Sequence, residues 1–148
     1  MLREQFEDIL AEFGTAVGQE LTLIDDAVNW MVDDEVLVNL HYLDASDSLL
    51  LWTQVGPLNE DEGTPPCGSR AMALLRMNDL DGEAAGFTLS VDAANALVLA
   101  HDRRSALAIS SADALAEWTE ALLRCVRAAR KVLGETTSTE DTTCQVYV

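Results

Sequence analysis

The chain has 148 residues, of which 26 are acidic and 9 are basic, so its formal net charge is −17. This length suits one domain with a single core, and an apolar share of 49% argues against disorder of the whole chain. A polyanion repels phosphate, so neither nucleic acid nor an anionic membrane is an expected partner. No apolar run approaches the roughly 20 residues that span a bilayer, and acidic residues follow Arg3 too soon for a signal peptide. We expect a soluble, cytoplasmic protein.

The first third of the chain predicts a helix followed by strands. Apolar residues recur every three or four positions from Leu2 to Phe13, which is typical of an amphipathic helix, and Gly14 or Gly18 is expected to end it. Because consecutive strands on short turns pair most simply with their neighbours, the strands that follow are expected to form an antiparallel meander. These predicted strands cover residues 20–24, 28–32, 36–42 and 48–55.

The rest of the chain predicts two more helices around a strand hairpin. Residues 56–66, which contain proline and many acids, are expected to form an exposed loop. Ser110 or Ser111 is expected to cap a long last helix that Gly134 stops. Between the loop and this helix, the pattern predicts a helix over residues 67–77, strands over 87–91 and 96–101, and a short strand over 106–109.

Together these elements predict an α+β fold. A twisted antiparallel sheet would be flanked by three helices, with three or four strands before the second helix and a strand hairpin after it, in an order of the type α-β-β-β-α-β-β-α. We expect one domain over residues 1–134 and a disordered tail over 135–148, because the tail has no hydrophobic period.

Few residues suit catalysis or metal binding. Cys67, His101 and Asp102 could form a nucleophilic triad, but no activating motif accompanies Cys67. The acidic run at 33–35 lacks the glycine and the alternation of a calcium loop, and no glycine-rich phosphate loop is present. Three cysteines, an odd number, argue against a disulfide framework. We therefore expect no catalytic site, no cofactor and no metal.

Several predicted strands are more apolar than one buried face requires. Apolar residues are contiguous at 30–32, 36–38 and 49–52, whereas an antiparallel sheet with one wet face should alternate polar and apolar residues. Two explanations stay open. Helices could cover one face and a dimer partner another part, or the strands could form a surface for an extended apolar segment of another protein.

The order of elements, the size and the acidity resemble the class I type III secretion chaperones, and most closely the Tir chaperone (CesT) family. The resemblance covers residues 2–133. It is carried by Phe6 to Phe13 with the following glycine, by residues 40–47 and 50–56, and by the last helix at 110–133.

This resemblance implies a homodimer that binds the unfolded N-proximal segment of one or more secreted effectors. It would keep them soluble and secretion-competent without nucleotide hydrolysis, and contact with the export ATPase is left open. The implied effector-binding residues are Phe6, Leu10, Leu21, Leu23, Trp30 and Val32, and which of them face the core is left open. The implied dimer-interface residues are Ala71, Met72, Leu74, Leu75, Leu97 and Leu99.

Two other functions stay open from the residues. One is a small acidic adaptor or regulatory domain that binds a folded protein, which the physical state of the partner would distinguish from a chaperone. The other is an enzyme that uses Cys67 or the acidic clusters, which loss of function in Cys67→Ser would indicate.

Overall fold

The computed structural model describes residues 3–59, 69–79, 82 and 84–134. Within them lies one five-stranded sheet with the order β1-β2-β3-β5-β4, in which β1–β2 and β2–β3 pair antiparallel. The expected α+β class, with an antiparallel sheet and three helices, is confirmed, whereas the homodimer stays a prediction. The helices are α1 (Arg3–Val17), α2 (Arg70–Met77) and α3 (Ala112–Gly134), and the strands are β1 (Ala27–Val32), β2 (Val36–Leu43), β3 (Ser48–Pro57), β4 (Thr88–Asp92) and β5 (Leu97–Ser105).

Two of the predicted strands are wrong. Residues 20–24 form no strand, and only Ile24 makes a bridge, to Ala27. The side chain of Leu21 is buried, and the backbone of Ile24 bonds to Ala27 in a tight turn instead of to a neighbouring strand. Residues 106–108 form a 3₁₀ turn instead of a strand, because the Ser105 hydroxyl accepts from the Leu107 N–H and starts the turn.

The described residues divide into two compact units, and the first comprises residues up to 53 together with 101–123. Aromatic contacts join α1 to the sheet in this unit: Phe6 stacks on Tyr42 with ring centroids 6.0 Å apart, and Phe13 meets Trp30 edge-on at 5.4 Å. Burial, followed by the 2.8 Å hydrogen bond to Asp47, raises the pKa of Tyr42 to about 12. The other large, fully buried side chains are Leu10, Val38, Leu40, Leu49, Leu51, Ile109, Leu115, Trp118 and Leu122.

The second unit comprises residues 54–100 and the residues from 124 onward. The Ser69 hydroxyl caps α2 by accepting from the Met72 N–H at 3.0 Å. At the C-terminal end of α2, the side-chain amide of Asn78 closes the outer edge of β4. It accepts from the Leu89 N–H at 2.8 Å and donates to the Leu89 carbonyl at 3.0 Å. At Leu89, the Asn78 side chain therefore makes the two backbone hydrogen bonds that a neighbouring strand would otherwise make.

Removing the Asn78 amide should destabilise the fold. We expect Asn78→Ala to lower the free energy of unfolding by about 1–2 kcal/mol, because two hydrogen bonds to one residue are lost. Urea denaturation measures the change. The matched control is Asn95→Ala, whose amide donates only to Asp92 in an exposed turn, with an expected loss of less than about 0.5 kcal/mol. An equal loss in both variants would contradict the role of Asn78.

The three helices are amphipathic, not uniformly apolar. Of the helices in the described part of the chain, none has the length and apolar character needed to cross a membrane.

Candidate functional site

Strand β1 lies at one edge of the sheet, and its backbone alternates between the two sides. The Asp26 carbonyl accepts from the Tyr42 N–H on the inner side, towards β2. Ala27 instead exchanges both of its backbone hydrogen bonds with Ile24 on the outer side, at 2.9 and 3.1 Å. Because the direction of the backbone groups reverses at every residue, Asn29 and Met31 also present their N–H and C=O groups outward.

This outer edge is closed only in part. Ile24 occupies the backbone of Ala27, and the side-chain amide of Gln19 donates to the Met31 carbonyl at 3.0 Å. Among the described residues, no partner on that side reaches the backbone of Asn29 or the N–H of Met31. Unpaired groups in a row are a template for another strand. The edge of β1 thus differs from that of β4, where Asn78 satisfies both groups of Leu89.

The end of α1 places Gln19 beside this edge. The Gln19 N–H bonds to the Gly14 carbonyl and the Gly18 N–H to the Thr15 carbonyl, which is the pattern of a Schellman motif. Gly18 has a φ of 73°, in the left-handed region that such an ending requires. Gly14 lies inside the helix, where a Cβ atom would come within 2.6 Å of the Gln19 carbonyl oxygen. The glycines predicted to end α1 therefore allow the turn and the close approach of the chain that leaves it.

Gly14→Ala should destabilise the protein although alanine is the better helix former. The helix gains about 0.5–1 kcal/mol from the substitution, but overpacking against backbone costs about 1–3 kcal/mol. We expect a net loss of about 1 kcal/mol or more in urea denaturation, whereas the exposed neighbour Thr15→Ala should be neutral or slightly stabilising. A stabilised Gly14→Ala would contradict the close approach of Gln19.

A first groove of about 550 Å³ lies along the start of β1. Its most exposed apolar side chain is Ile24, 72% of which is accessible to solvent. On its floor, the His41 ring stacks on Trp52 with centroids 6.1 Å apart and planes inclined by 22°. The remaining lining residues are Glu20, Thr22, Ala27, Val28, Asn29 and Asn39. This groove offers an aromatic platform beside the unpaired backbone of Asn29.

A second groove of about 380 Å³ lies along the other half of β1, on the face that carries Phe13 and Trp30. Val17 and Met31 are its exposed apolar side chains, each 43% accessible. The indole N–H of Trp30 is buried and has no hydrogen-bond acceptor among the residues that the structure describes. The groove is completed by Gln19, Val32, Asp33, Ala116, Thr119, Glu120 and Leu123.

The electrostatic character of both grooves is acidic. Glu20 lines the first groove, and Asp33 and Glu120 line the second, whereas neither lining includes a lysine or an arginine from the described part of the chain. The open edge therefore combines unpaired backbone groups, apolar side chains and negative charge.

Solved structures share this architecture. The HopA1–SchA chaperone–effector complex contains a chain with a TM-score of 0.67 and 23% identity, covering 86% of this chain and 94% of that one. The Yersinia pestis type III secretion chaperone SycH, solved with a stable fragment of YscM2, has a TM-score of 0.64 and 17% sequence identity. The match covers 84% of this chain and 98% of that one. A chain of the Pseudomonas aeruginosa ExoU–SpcU complex from the type III secretion system has a TM-score of 0.64 and 18% sequence identity. The match covers 88% of this chain and 98% of that one.

The chain has the fold of type III secretion chaperones. The resemblance seen in the sequence is thus confirmed at the level of the fold, while the Tir chaperone family within it stays a prediction. Neither a protein-family model nor a curated protein sequence matches the chain.

The six residues predicted to bind an effector occupy two environments in this chaperone fold. Phe6 and Leu10 have no accessible surface, and Leu21 and Trp30 are buried as well. Leu23 and Val32 are half-buried. Trp30 and Val32 line the second groove, so the structure brings two of the six residues to the open edge of β1. Contact of any of the six with an effector stays a prediction.

The residues at the edge that the sequence analysis did not single out are Val17, Gln19, Ile24 and Met31. Their exposure is not visible in a hydrophobic period, because Val17 continues the apolar character of α1 and Met31 lies in an apolar run. The sequence contained only a weak signal of their exposure. Val17 directly precedes Gly18, and Ile24 directly precedes the Asp25–Asp26 pair, so both stand next to turn residues.

The predicted dimer residues cluster in part around a shallow apolar groove of about 130 Å³ in the second unit. Ala71, Leu74 and Leu75 line it from α2, and Leu75 is 60% accessible. Met72, Leu97 and Leu99 are half-buried and lie outside this lining. The facing residues come from the β4–β5 hairpin: Leu89, Ser90, Val91 and Val98. A dimer through this groove stays a prediction.

The candidates for chemistry have structural roles where the structure describes them. Asp102 accepts from the Trp118 indole N–H and from Arg104 Nε, both at 3.0 Å. Cys67, which the imagined triad would need, lies outside the described residues. Burial raises the pKa of Cys125 to about 11, so this thiol stays protonated at neutral pH. Within the described ranges, no group of three or more His, Cys, Asp or Glu side chains could hold a metal ion.

Proposed function

We propose that this protein is a cytoplasmic type III secretion chaperone. It binds the unfolded N-proximal segment of one or more secreted effectors and keeps them soluble and secretion-competent. It is a binding protein and not an enzyme, and it hydrolyses no nucleotide. The observation that carries the proposal is the open edge of β1 between two apolar grooves, in a chain with the fold of solved type III secretion chaperones.

Strand addition explains how this edge would bind an extended chain. The partner's backbone would bond to the outward groups of Asn29 and to the N–H of Met31. Because side chains alternate between the two faces of a strand, partner residues beside the start of β1 would reach the first groove from one face, and those beside its other half would reach the second groove from the opposite face. The partner must be extended along this segment, so that its backbone groups can reach the edge of β1 and its side chains can reach the grooves.

The driving force is apolar burial together with backbone hydrogen bonds. Ile24, Val17 and Met31 are apolar side chains that the chain leaves in water, and covering them is favourable. Ordering the partner's segment costs entropy and offsets part of this gain, which suits reversible loading. No covalent step is needed.

The acidic surface supports the same role. A carrier with exposed apolar grooves tends to associate with itself, and a net charge of −17 opposes such contacts by repulsion. The charge thereby allows the edge of β1 to remain open without aggregation.

The apolar groove between α2 and the β4–β5 hairpin supports a homodimer as part of the same proposal. Leu75 and Val91 are exposed there, 60% and 44% respectively, and a second copy would cover them. The interface would include the predicted residues Ala71, Met72, Leu74, Leu75, Leu97 and Leu99.

A tagged pull-down from the native cell, followed by limited proteolysis of the captured complex, tests the function. We expect one or a few larger proteins whose N-proximal segments alone are protected while the chaperone is bound. Protection should disappear when the segment is separated from the chaperone, because it has no fold of its own. A partner captured as a compact, protease-resistant domain would overturn the proposal in favour of an adaptor.

A further inference from the structure

We propose that the first groove binds an arginine side chain of the effector segment, with the guanidinium group on the platform that His41 and Trp52 form. This inference rests on the proposed function and specifies the chemistry of the partner at that groove. It follows from three properties of the lining: the aromatic platform, the side-chain amides beside it, and a carboxylate in the same groove.

The strand register places the platform on the face of the sheet opposite α1. Asn29, Asn39 and Trp52 are Cα partners across β1, β2 and β3, so they form one row. Tyr42 is buried and stacks against α1 on the core face. Because side chains alternate along a strand, His41 lies with Asn39 on the other face. The two amides and the two aromatic rings therefore share one surface.

The two rings suit a planar cation. The His41 and Trp52 ring planes are inclined by only 22°, and both residues are half-buried, so part of the platform is accessible. A cation is attracted to the face of an aromatic ring, and tryptophan attracts it most strongly. A guanidinium group is planar and weakly hydrated, so it stacks on such a face more readily than an ammonium group does.

The polar side chains of the groove supply acceptors and a countercharge. A guanidinium group has five N–H donors and no acceptor, so it needs oxygen atoms around it. Asn29 and Asn39 carry side-chain carbonyl oxygens, and the Asn39 amide nitrogen donates to the Leu37 carbonyl at 3.4 Å, so its oxygen can accept. Glu20 is exposed in the same groove and adds a carboxylate. In the described part of the chain, no lysine or arginine lines this groove.

The apolar part of the groove suits the stem of the same side chain. Ile24 is 72% exposed and lines the groove together with Ala27, at the edge of the sheet. Arginine buries its methylene stem along apolar surface while its charged head stays in a polar environment. A purely apolar side chain would cover Ile24 but leave the Glu20 carboxylate without a partner. A lysine would bring the charge without the planar fork that stacks and donates in several directions.

Four blocked tripeptides test the inference. They have threonine at both ends and differ in the middle residue, which is arginine, lysine, phenylalanine or citrulline, the neutral analogue of arginine. Their binding to the ¹⁵N-labelled full chain is measured by NMR titration. We expect the arginine peptide to bind about fivefold more tightly than the lysine peptide and about tenfold more tightly than the other two. The shifted signals should be the Trp52 indole N–H and the side-chain amides of Asn29 and Asn39.

Matched variants separate the groove from the rest of the acidic surface. We expect Trp52→Leu to weaken binding of the arginine peptide about tenfold, and Trp52→Phe and Glu20→Gln about threefold each. The controls are Leu37→Ala, an exposed apolar residue of β2 outside the lining, and Glu12→Gln, an exposed charge on α1. Both controls should bind as the wild type does. Circular dichroism checks each fold, and Trp52→Phe and Glu20→Gln decide the matter if Trp52→Leu unfolds.

The outcomes distinguish this inference from the proposed function. Equal binding of the citrulline peptide would show that the charge is not recognised, and equal binding of the lysine peptide that the guanidinium plane is not. Tighter binding of the phenylalanine peptide would assign the groove to an apolar side chain. Each of these results overturns the arginine site, as do absent binding and shifts outside the lining. None of them affects the chaperone function, which a compactly folded partner in the pull-down would overturn separately.

Discussion

Phe6→Asp is expected to unfold the protein. The Phe6 side chain has no accessible surface and stacks on Tyr42. Truncating a buried phenylalanine costs about 3–5 kcal/mol, and a buried carboxylate without a partner adds several more. This sum approaches or exceeds the roughly 5–15 kcal/mol by which a domain of this size is stable. Far-UV circular dichroism should show loss of helix at 25 °C, and Trp30→Asp should behave in the same way.

A substitution on the same helix provides the control. Val17 is 43% exposed and lines the second groove, so Val17→Asp should leave the circular dichroism spectrum unchanged. It should nevertheless weaken the capture of an effector segment, because a charge then faces the apolar side chains of the partner. A native spectrum for Phe6→Asp would contradict its place in the core, and unchanged capture by Val17→Asp would exclude the second groove from the binding site.

Asn29→Pro is expected to abolish strand addition while the protein stays folded. Proline has no backbone N–H, and on an edge strand it is tolerated where that N–H faces away from the sheet. Asn29 occupies such a position, between the outward-facing Ala27 and Met31. The partner would lose a hydrogen bond and meet the proline ring, so we expect roughly a 100-fold loss of affinity. Anisotropy with the captured effector segment measures the loss.

Two neighbouring variants show whether the effect comes from the edge. Asn29→Ala keeps the backbone N–H and should change the affinity less than about threefold. Val28→Pro removes an inward group that belongs to the ladder with Leu40, so it should lower the thermal midpoint of unfolding instead. A folded Asn29→Pro variant that still binds within twofold of wild type would show that the partner does not pair with β1.

Local patterns predicted most of the fold, and the errors have local causes. The structure contains a strand where residues 36–42 alternate and a helix where the apolar stripe of α3 was found. Both patterns were informative because side-chain periodicity depends only on the strand or helix to which the residue belongs. Residues 20–24 also alternate, yet they form only the bridge at Ile24. The end of α1 and the burial of Leu21 direct this segment, and neither is encoded within it.

The candidate site was less predictable than the fold. Trp30 and Val32 were among the expected binding residues and do line a groove, whereas Phe6 and Leu10 lie in the core. All four are apolar residues, so composition alone cannot separate them. Gln19 carried no signal at all, because its contact with Met31 joins residues 12 positions apart.

By itself, the sequence determined the order of helices and strands, the acidity and the resemblance to a family of secretion chaperones. These properties depend on short stretches of sequence and on the total charge, both of which can be read without knowing the tertiary structure. Only the tertiary structure decided that β1 is an edge, that its backbone is open at Asn29, and that Val17 is exposed while Phe6 is not. The physical reason is that burial and hydrogen-bond satisfaction depend on contacts between segments that are distant in sequence. The residues of one segment do not reveal which other segment will pack against it.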